Sequence, residues 1–225
     1  MDIPEDHPRY KSLMTRERLA AMVEKGLVTP TGLISHGRGE AYDYLMGEKS
    51  TEAALNAERL IALADAVPAK IEVNLFHRTP ERMEGIISYL ESKGAKKVLG
   101  RVPDRRIQGL NHDRALCTDE GIFSSDVIVV PIEDGDRAEA LVSMGKTVIS
   151  IDLNPLSRTS RTASVPISDE MSRALENMIG FVSELRGDDE AIDGLIASFS
   201  AKECRRATVE CICDSLMSEF KKGDE

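Results

Sequence analysis

"SSDVIVVPIEDGDRAEALVSMGKTVISIDL", residues 124–153, decides the fold. It opens on a Val/Ile run with no polar interruption, the pattern of a strand buried on both faces. An acid-rich turn follows, and Asp136 with Glu139 has the spacing of a capping box that opens a helix over 136–145. "KTVISIDL" (146–153) then returns as a second apolar strand. Two strands joined by a helix imply parallel pairing, with the helix lying over one face of the sheet and the crossover right-handed.

The same alternation extends outward. "AKIEVNLF" (69–76) and "KKVLGRV" (96–102) read as strands. Between them a helix opens with Thr79 as cap, Pro80 at its first position and Glu81 at the positive end of its dipole. An Ala/Leu-rich helix occupies 53–66, and "TASVPIS" (162–168) is a further strand. Residues 7–26 form an opening helix stopped at Gly26, and a glycine-flanked loop precedes a short helix from about Glu40. From Ser168 onward nearly everything is helical, with Ser200 and Glu203 spaced as a second capping box. The expected architecture is a three-layer α/β fold. It forms one domain over 1–225, with a helical N-terminal part (1–50) and a helical C-terminal part (170–225).

Composition narrows the function classes. A formal charge of −10 argues against a nucleic-acid partner, whose phosphates require a basic surface. No apolar run approaches the roughly 20 residues of a membrane span. "MDIPEDHPRY" lacks a basic-then-apolar leader, so a cytoplasmic location is expected. Aromatics make up 4% of the chain with no Trp, so the core must be built from Leu, Ile, Val, Ala and Met. Cys117, Cys204, Cys211 and Cys213 lack zinc-ligand spacing and are expected to be reduced thiols.

Three loops gather polar residues beside apolar elements. "SHGRGEAYD" (35–43) carries His36, Arg38, Glu40 and Asp43, with Gly37 and Gly39 letting backbone N–H groups approach an anion. "PIEDGDRAEA" (131–140) puts Glu133, Asp134 and Asp136 just past the most apolar strand. Three carboxylates there call for a cation or an amine, although one of them, Asp136, is the expected helix cap. "ISIDLNPLSRTSRTASVPI" (149–167) sets Asp152 and Asn154 where a ribose or base would be held, then supplies Ser157, Arg158, Thr159, Ser160 and Arg161 as phosphate donors. Neither GxxxxGK[ST] nor a spaced GxGxxG is present, so a dehydrogenase is disfavoured. Together the three loops indicate a nucleotide site.

"HPRY", "GLISHGRGEAYDYLMGE", "KIEVNLFHRT", "VIVVPIEDGDRAEALVSMGK" and "ISIDLNPLSRTSR", in this order over about residues 3–170, resemble the archaeal 4-phosphopantoate–β-alanine ligases, also called phosphopantothenate synthetases. The resemblance implies a Rossmann-like domain with helical additions, acting as a homodimer. It implies ATP-dependent condensation of 4-phosphopantoate with β-alanine, a step of coenzyme A biosynthesis that releases AMP and diphosphate. The family's ATP contacts fall on Arg16, Arg38, Asp152, Leu153, Asn154, Arg158 and Thr159. Others fall near Glu170 and Met171, where the local sequence departs from the family. The family also carries an extra helix and strand, ending in an "SVNGN"-like loop, just before Ala53; here "GEKSTE" runs straight into "AALNAERL", roughly 25 residues short.

Release of AMP implies an acyl adenylate, with Arg38, Arg158 and Mg²⁺ neutralising charge at the α-phosphate. His36, Glu40, Asp134 and Asp136 are the candidates for taking the proton of the incoming amine. Arg78, Arg137 and Arg161 are available to hold the substrate phosphate. A nucleotide-binding regulatory protein without ligase chemistry is the alternative, because the fold alone permits it.

Overall fold

The computed structural model describes residues 18, 20–25, 56–76, 78–131 and 134–221. Its elements are α1 (Ala57–Ala66), β1 (Ile71–Glu72), α2 (Pro80–Ser92), β2 (Val98–Leu99), β3 (Arg105–Arg106), β4 (Leu116–Cys117) and β5 (Val127–Val130). There follow α3 (Gly135–Ser143), β6 (Thr147–Ile151), α4 (Arg158–Thr162), β7 (Val165–Ile167), α5 (Met171–Leu185), α6 (Asp189–Ser198) and α7 (Ala201–Lys221). The expected strand–helix alternation is present, and the protein has a Rossmann-like α/β fold.

β5, β6 and β7 form a parallel sheet in that order, with Val129 opposite Ile149 and Ile151 opposite Ile167. Strand alternation sends Val130 and Val148 to one face, against Ala138 and Leu141 of α3. Val129 and Ile151 go to the other face, against Leu63 of α1 and Leu175 of α5. This is the three-layer arrangement that continuous apolar strands require. β1 and β2 pair in parallel and pack with Ile61 of α1 and Met83 and Ile87 of α2. Helix α1 therefore serves both sheets, giving Ile61 to one and Leu63 to the other.

Thr79 caps α2 through a 3.2 Å bond from the Arg82 N–H, with Pro80 in the first position, as the sequence indicates. At α7 the Ser200 hydroxyl accepts the Glu203 N–H at 3.3 Å. The segment between β2 and β5 brings elements that periodicity does not reveal. β3 and β4 form an antiparallel hairpin, and an irregular helical turn covers Asp119–Phe123. That turn closes on β1. The half-buried Glu72 carboxylate accepts the N–H groups of Thr118 and Ile122, each at 2.7 Å, and burial pushes its pKa up. A Cβ on Gly121 would lie 2.0 Å from a Glu72 oxygen, so any larger residue there would push the carboxylate out of these bonds.

Among the described residues the parallel strands thus fall into two groups, β2-β1 and β5-β6-β7. Rossmann order is 3-2-1-4-5-6. The two groups together supply five of the six parallel strands of that order.

Candidate functional site

The β6–α4 loop turns at the carboxyl end of the sheet, where α/β proteins place ligands. Asp152 is buried there, and its backbone N–H donates to the Ile167 carbonyl at 2.9 Å. Its carboxylate accepts the Asn154 N–H at 2.9 Å and the Ser157 hydroxyl. The Asn154 side chain in turn accepts the Leu156 N–H at 2.9 Å, so two Asx turns follow one another. Ser157 caps α4, Ser160 donates to the Asn154 carbonyl, and buried Thr159 accepts the Asp134 N–H at 2.9 Å. Asp152 and the three hydroxyls of residues 157, 159 and 160 thus hold the loop's own shape.

What the loop presents outward is Arg158, with Arg161 exposed one turn later. The Arg158 guanidinium lies across the start of α3, 2.5 Å from Asp136 and 3.7 Å from Glu139. A Cβ on Gly135 would come within 2.3 Å of Arg158 Nε and 3.0 Å of its Cβ. Gly135 is therefore the floor on which Arg158 rests.

The acid-rich turn corrects the sequence reading in one respect. The cap of α3 is Asp134, which accepts the Arg137 N–H at 3.3 Å; Asp136 sits inside the first turn and is exposed. Buried Asp134 is also held by two guanidiniums, Arg114 at 2.6 Å and Arg137 at 3.0 Å. Arg137 reaches on to the Asn74 side-chain oxygen at 3.0 Å, and Asn74 donates to the carbonyls of Arg114 and Leu116. These bonds tie the end of β1 to the start of α3. Burial lowers the pKa of Arg137 to about 10, although Asp134 works against that shift. Burial and the nearby Arg114 charge also lower that of Arg82, in the first turn of α2. Arg114 lies 5.7 Å from the centre of the Phe76 ring, and Phe76 stacks on His112 at 4.7 Å.

The remaining sequence candidates are more scattered. Arg78 donates to the carbonyls of Gly100 and Arg101 at the end of β2. Leu153 is half-buried beside Asp152. Glu170 is buried as the cap of α5, accepting the N–H groups of Ser172 and Arg173, and Met171 is packed into the core beneath that helix. Arg16, His36, Arg38, Glu40, Asp43 and Glu133 lie outside the described residues. Arg82 and Arg114 were missed by the sequence reading. Arg82 carried a signal: a cation in the first turn of a helix opposes the dipole. Arg114 stands in "NHDRALC", a stretch with no periodicity or motif.

The donor set also bears on a metal. Asp134 is bound by two guanidiniums and Asp136 by Arg158, and no group of three His, Cys, Asp or Glu among the described residues could hold an ion. All four cysteines are free; Cys117 is buried and the other three are exposed. No described helix is long and apolar enough to cross a membrane. A hollow beside Ile61, Lys70 and Glu120 lies at the amino end of β1 and β2. Two of its three lysines are paired, Lys97 with Glu120 at 2.5 Å and Lys96 with Asp65 at 3.2 Å, and Lys70 donates to the Glu120 carbonyl at 2.6 Å.

Comparison with known proteins bears on this geometry. The family model described as phosphopantothenate/pantothenate synthetase matches residues 49–215. A protein of Methanosarcina mazei named 4-phosphopantoate–β-alanine ligase is 48% identical over 229 residues, covering 89% of this chain and 90% of that protein. Proteins of the same name from Methanospirillum hungatei and Thermococcus kodakarensis are 46% and 42% identical, covering 96% and 83% of this chain and 98% and 82% of their own lengths. The alignment with the Methanospirillum hungatei protein spans 243 positions, and 96% of this 225-residue chain is 216 residues. About 27 positions of that relative, 243 less 216, thus have no counterpart here, close to the deficit before Ala53.

Proposed function

We propose that this chain, which belongs to the phosphopantothenate/pantothenate synthetase family, condenses 4-phosphopantoate with β-alanine at the expense of ATP. The family assignment rests on a model match over most of the chain and on relatives at 42–48% identity. The observation that carries the site is Arg158, held over Gly135 at the carboxyl end of the sheet and facing outward from a loop whose other polar groups are internally bonded. A guanidinium so placed matches a phosphate oxygen in a bidentate way.

In this reading the substrate carboxylate attacks the α-phosphorus of ATP and diphosphate leaves. The amine of β-alanine then attacks the acyl adenylate, AMP leaves and the amine gives up a proton. Arg158 exchanges its exposed carboxylate partner Asp136 for phosphate, which frees Asp136 beside the reacting groups. Mg²⁺ enters only as the ion that ATP itself carries. The relatives' names give no support to a purely regulatory nucleotide-binding role. The chain acts as a homodimer; Phe181, Leu195, Ile196 and Phe199, all exposed on or beside α5 and α6, supply an apolar face of the kind that a second copy covers.

Incubation with ATP, 4-phosphopantoate and β-alanine should yield phosphopantothenate and AMP. ADP with inorganic phosphate would remove the adenylate route, and the absence of any amide product would remove the ligase. Sedimentation should give twice the 24.7 kDa chain mass, and a monomer would remove the dimer.

A further inference from the structure

Two apolar surfaces far from Arg158 are left uncovered in one copy of the chain. The first is a groove of about 610 Å³ lined by Ala66 of α1, Phe181, Val182 and Leu185 of α5 and Ile192 of α6. Leu195, Ile196 and Phe199 follow Ile192 at helical spacing and extend it along α6, with 44–69% of each exposed. The second surface is the far half of α7. Over the first three turns of that helix Ala201, Arg205, Thr208, Val209 and Ile212 are half-buried, and the helix packs against β7. Leu216 and Met217 lie on the same face, one turn beyond Ile212 and Cys213. Yet every side chain over 213–218 is exposed. The packing face of α7 thus runs on past the body that it packs against. Groove and overhang do not meet within one copy, since both are exposed.

We propose that the α7 overhang, residues 213–218, fills the α5–α6 groove of a second copy, whose own overhang fills this copy's groove in return. The inference rests on the homodimer reading and says what covers its apolar face. An apolar helix stripe laid into a groove between helices is a recurrent mode of recognition. Reciprocal exchange closes with two-fold symmetry, so both surfaces of both copies are covered at once. Two α5–α6 faces set against each other would instead leave Leu216 and Met217 bare. Area supports the exchange. Phe181, Leu195, Ile196, Phe199, Leu216 and Met217, each about half exposed, offer on the order of 100 Å² apiece, where a standard interface takes about 800 Å² from each partner. Charge supports it as well. Among the described residues Arg186, at the groove, has no carboxylate partner; its guanidinium donates to the Ala66 carbonyl at 2.5 Å. Asp214, exposed at the edge of the α7 stripe, has no cation partner among them. Exchange brings these two opposite charges to the same rim, where a pair fixes register more than affinity.

Sedimentation of the full chain and of point variants tests this. Leu216→Asp and Phe181→Asp should each weaken dimerisation about thirtyfold or more, because each sets a carboxylate in the apolar contact. Both side chains are exposed within one copy, so circular dichroism should show both variants folded. An equimolar mixture of the two should dimerise more tightly than either alone, since the mixed pair keeps one intact overhang in one intact groove. Arg186→Asp and Asp214→Arg should each weaken the dimer about two- to fivefold, and the chain carrying both should recover it. A wild-type chain that sediments as a monomer removes the dimer reading and the exchange with it. A dimer broken by Phe181→Asp but not by Leu216→Asp is joined face to face; the dimer reading then stands and the exchange fails. A dimer that neither change breaks, or a mixture that does not complement, also overturns the exchange alone. Masses that climb past two copies with concentration would show open chains in place of closed exchange.

Discussion

Replacing Gly135 by alanine should separate stability from nucleotide binding. The new Cβ would stand 2.3 Å from Arg158 Nε and 3.0–3.1 Å from its Cβ and Cγ, so the arginine must leave its place over α3. It can do so, because its side chain is 55% exposed and its partner Asp136 equally so. Losing that exposed pair costs at most about 1 kcal/mol. Alanine in place of glycine at the first helical position returns up to about 1 kcal/mol. The net change should stay within about 1 kcal/mol, a shift in Tm of roughly 2–4 °C for a chain of this size. Binding should respond far more. Removing a charge-assisted contact to phosphate costs about 1.5–3 kcal/mol, or ten- to a hundredfold in Kd for ATP. The assay is calorimetric titration with ATP beside a thermal melt, on Gly135→Ala, Arg158→Ala and the double variant. The double variant should bind no worse than Arg158→Ala, since both changes remove one contact. Wild-type ATP affinity in Gly135→Ala would refute the placement of Arg158 in the nucleotide site.

Asp134→Asn should lower stability by about 3 kcal/mol, because it leaves two largely buried guanidiniums without their carboxylate, although asparagine still caps the helix; an unchanged urea midpoint would show that the ion pairs contribute nothing. Ellman's reagent should titrate Cys204, Cys211 and Cys213 in the native chain and Cys117 only after unfolding. Burial raises the Cys117 pKa from 9.0 to about 11, so its contribution to stability is complete below pH 9 and is lost as pH rises through about 11; a Cys117→Ser chain should therefore lose less stability than wild type between those values. Grafting the extra Methanospirillum hungatei residues ahead of α1 should raise Tm and slow amide exchange at Ile71–Val73 and Val127–Val130. Exchange at those amides that is already slow without the graft would mean that the sixth strand's place is filled by this chain's own residues.

Where apolar pattern and local capping agree, the fold was legible. The Val/Ile run of β5, the Thr79-Pro80 start of α2 and the return strand β6 each lie where residue types place them. The β3–β4 hairpin was not legible, because its strands are two residues each and both residues of β3 are exposed arginines, so no alternation marks them. The cap of α3 was misplaced by two residues for a tertiary reason. Locally Asp136 is the stronger signal, since Glu139 completes a capping box, and what selects Asp134 instead is Thr159, which takes its N–H, and Arg114, which takes its carboxylate. Both lie 20 or more residues away in sequence. The hydroxyls of residues 157–160 were read as ligand donors although Asx and Ser/Thr turns are local signals too. A turn-rich loop satisfies many of its own polar groups, which leaves its long cations pointing outward.

The first turn of α3 is where the two halves of the site are joined. Asp134 caps the helix, donates its N–H to Thr159 of the β6–α4 loop and binds Arg114 and Arg137. Gly135 supplies the space under Arg158, and Asp136 holds that guanidinium in place. Arg137 reaches Asn74 at the end of β1. Four consecutive residues therefore connect the β6–α4 loop that carries Arg158, the proposed nucleotide contact, to the Arg114–Arg137 pair. A rotation of this turn displaces both sets together, because the Thr159 and Asn74 bonds leave it no independent freedom on either side. In a two-substrate ligation the reacting carboxylate must meet the α-phosphorus within about 3–3.5 Å, and misplacement by 1 Å is costly. Hanging Arg158's support and the Arg114–Arg137 pair on one helical turn fixes their separation through short covalent and hydrogen-bonded links, where two independently mobile loops would not.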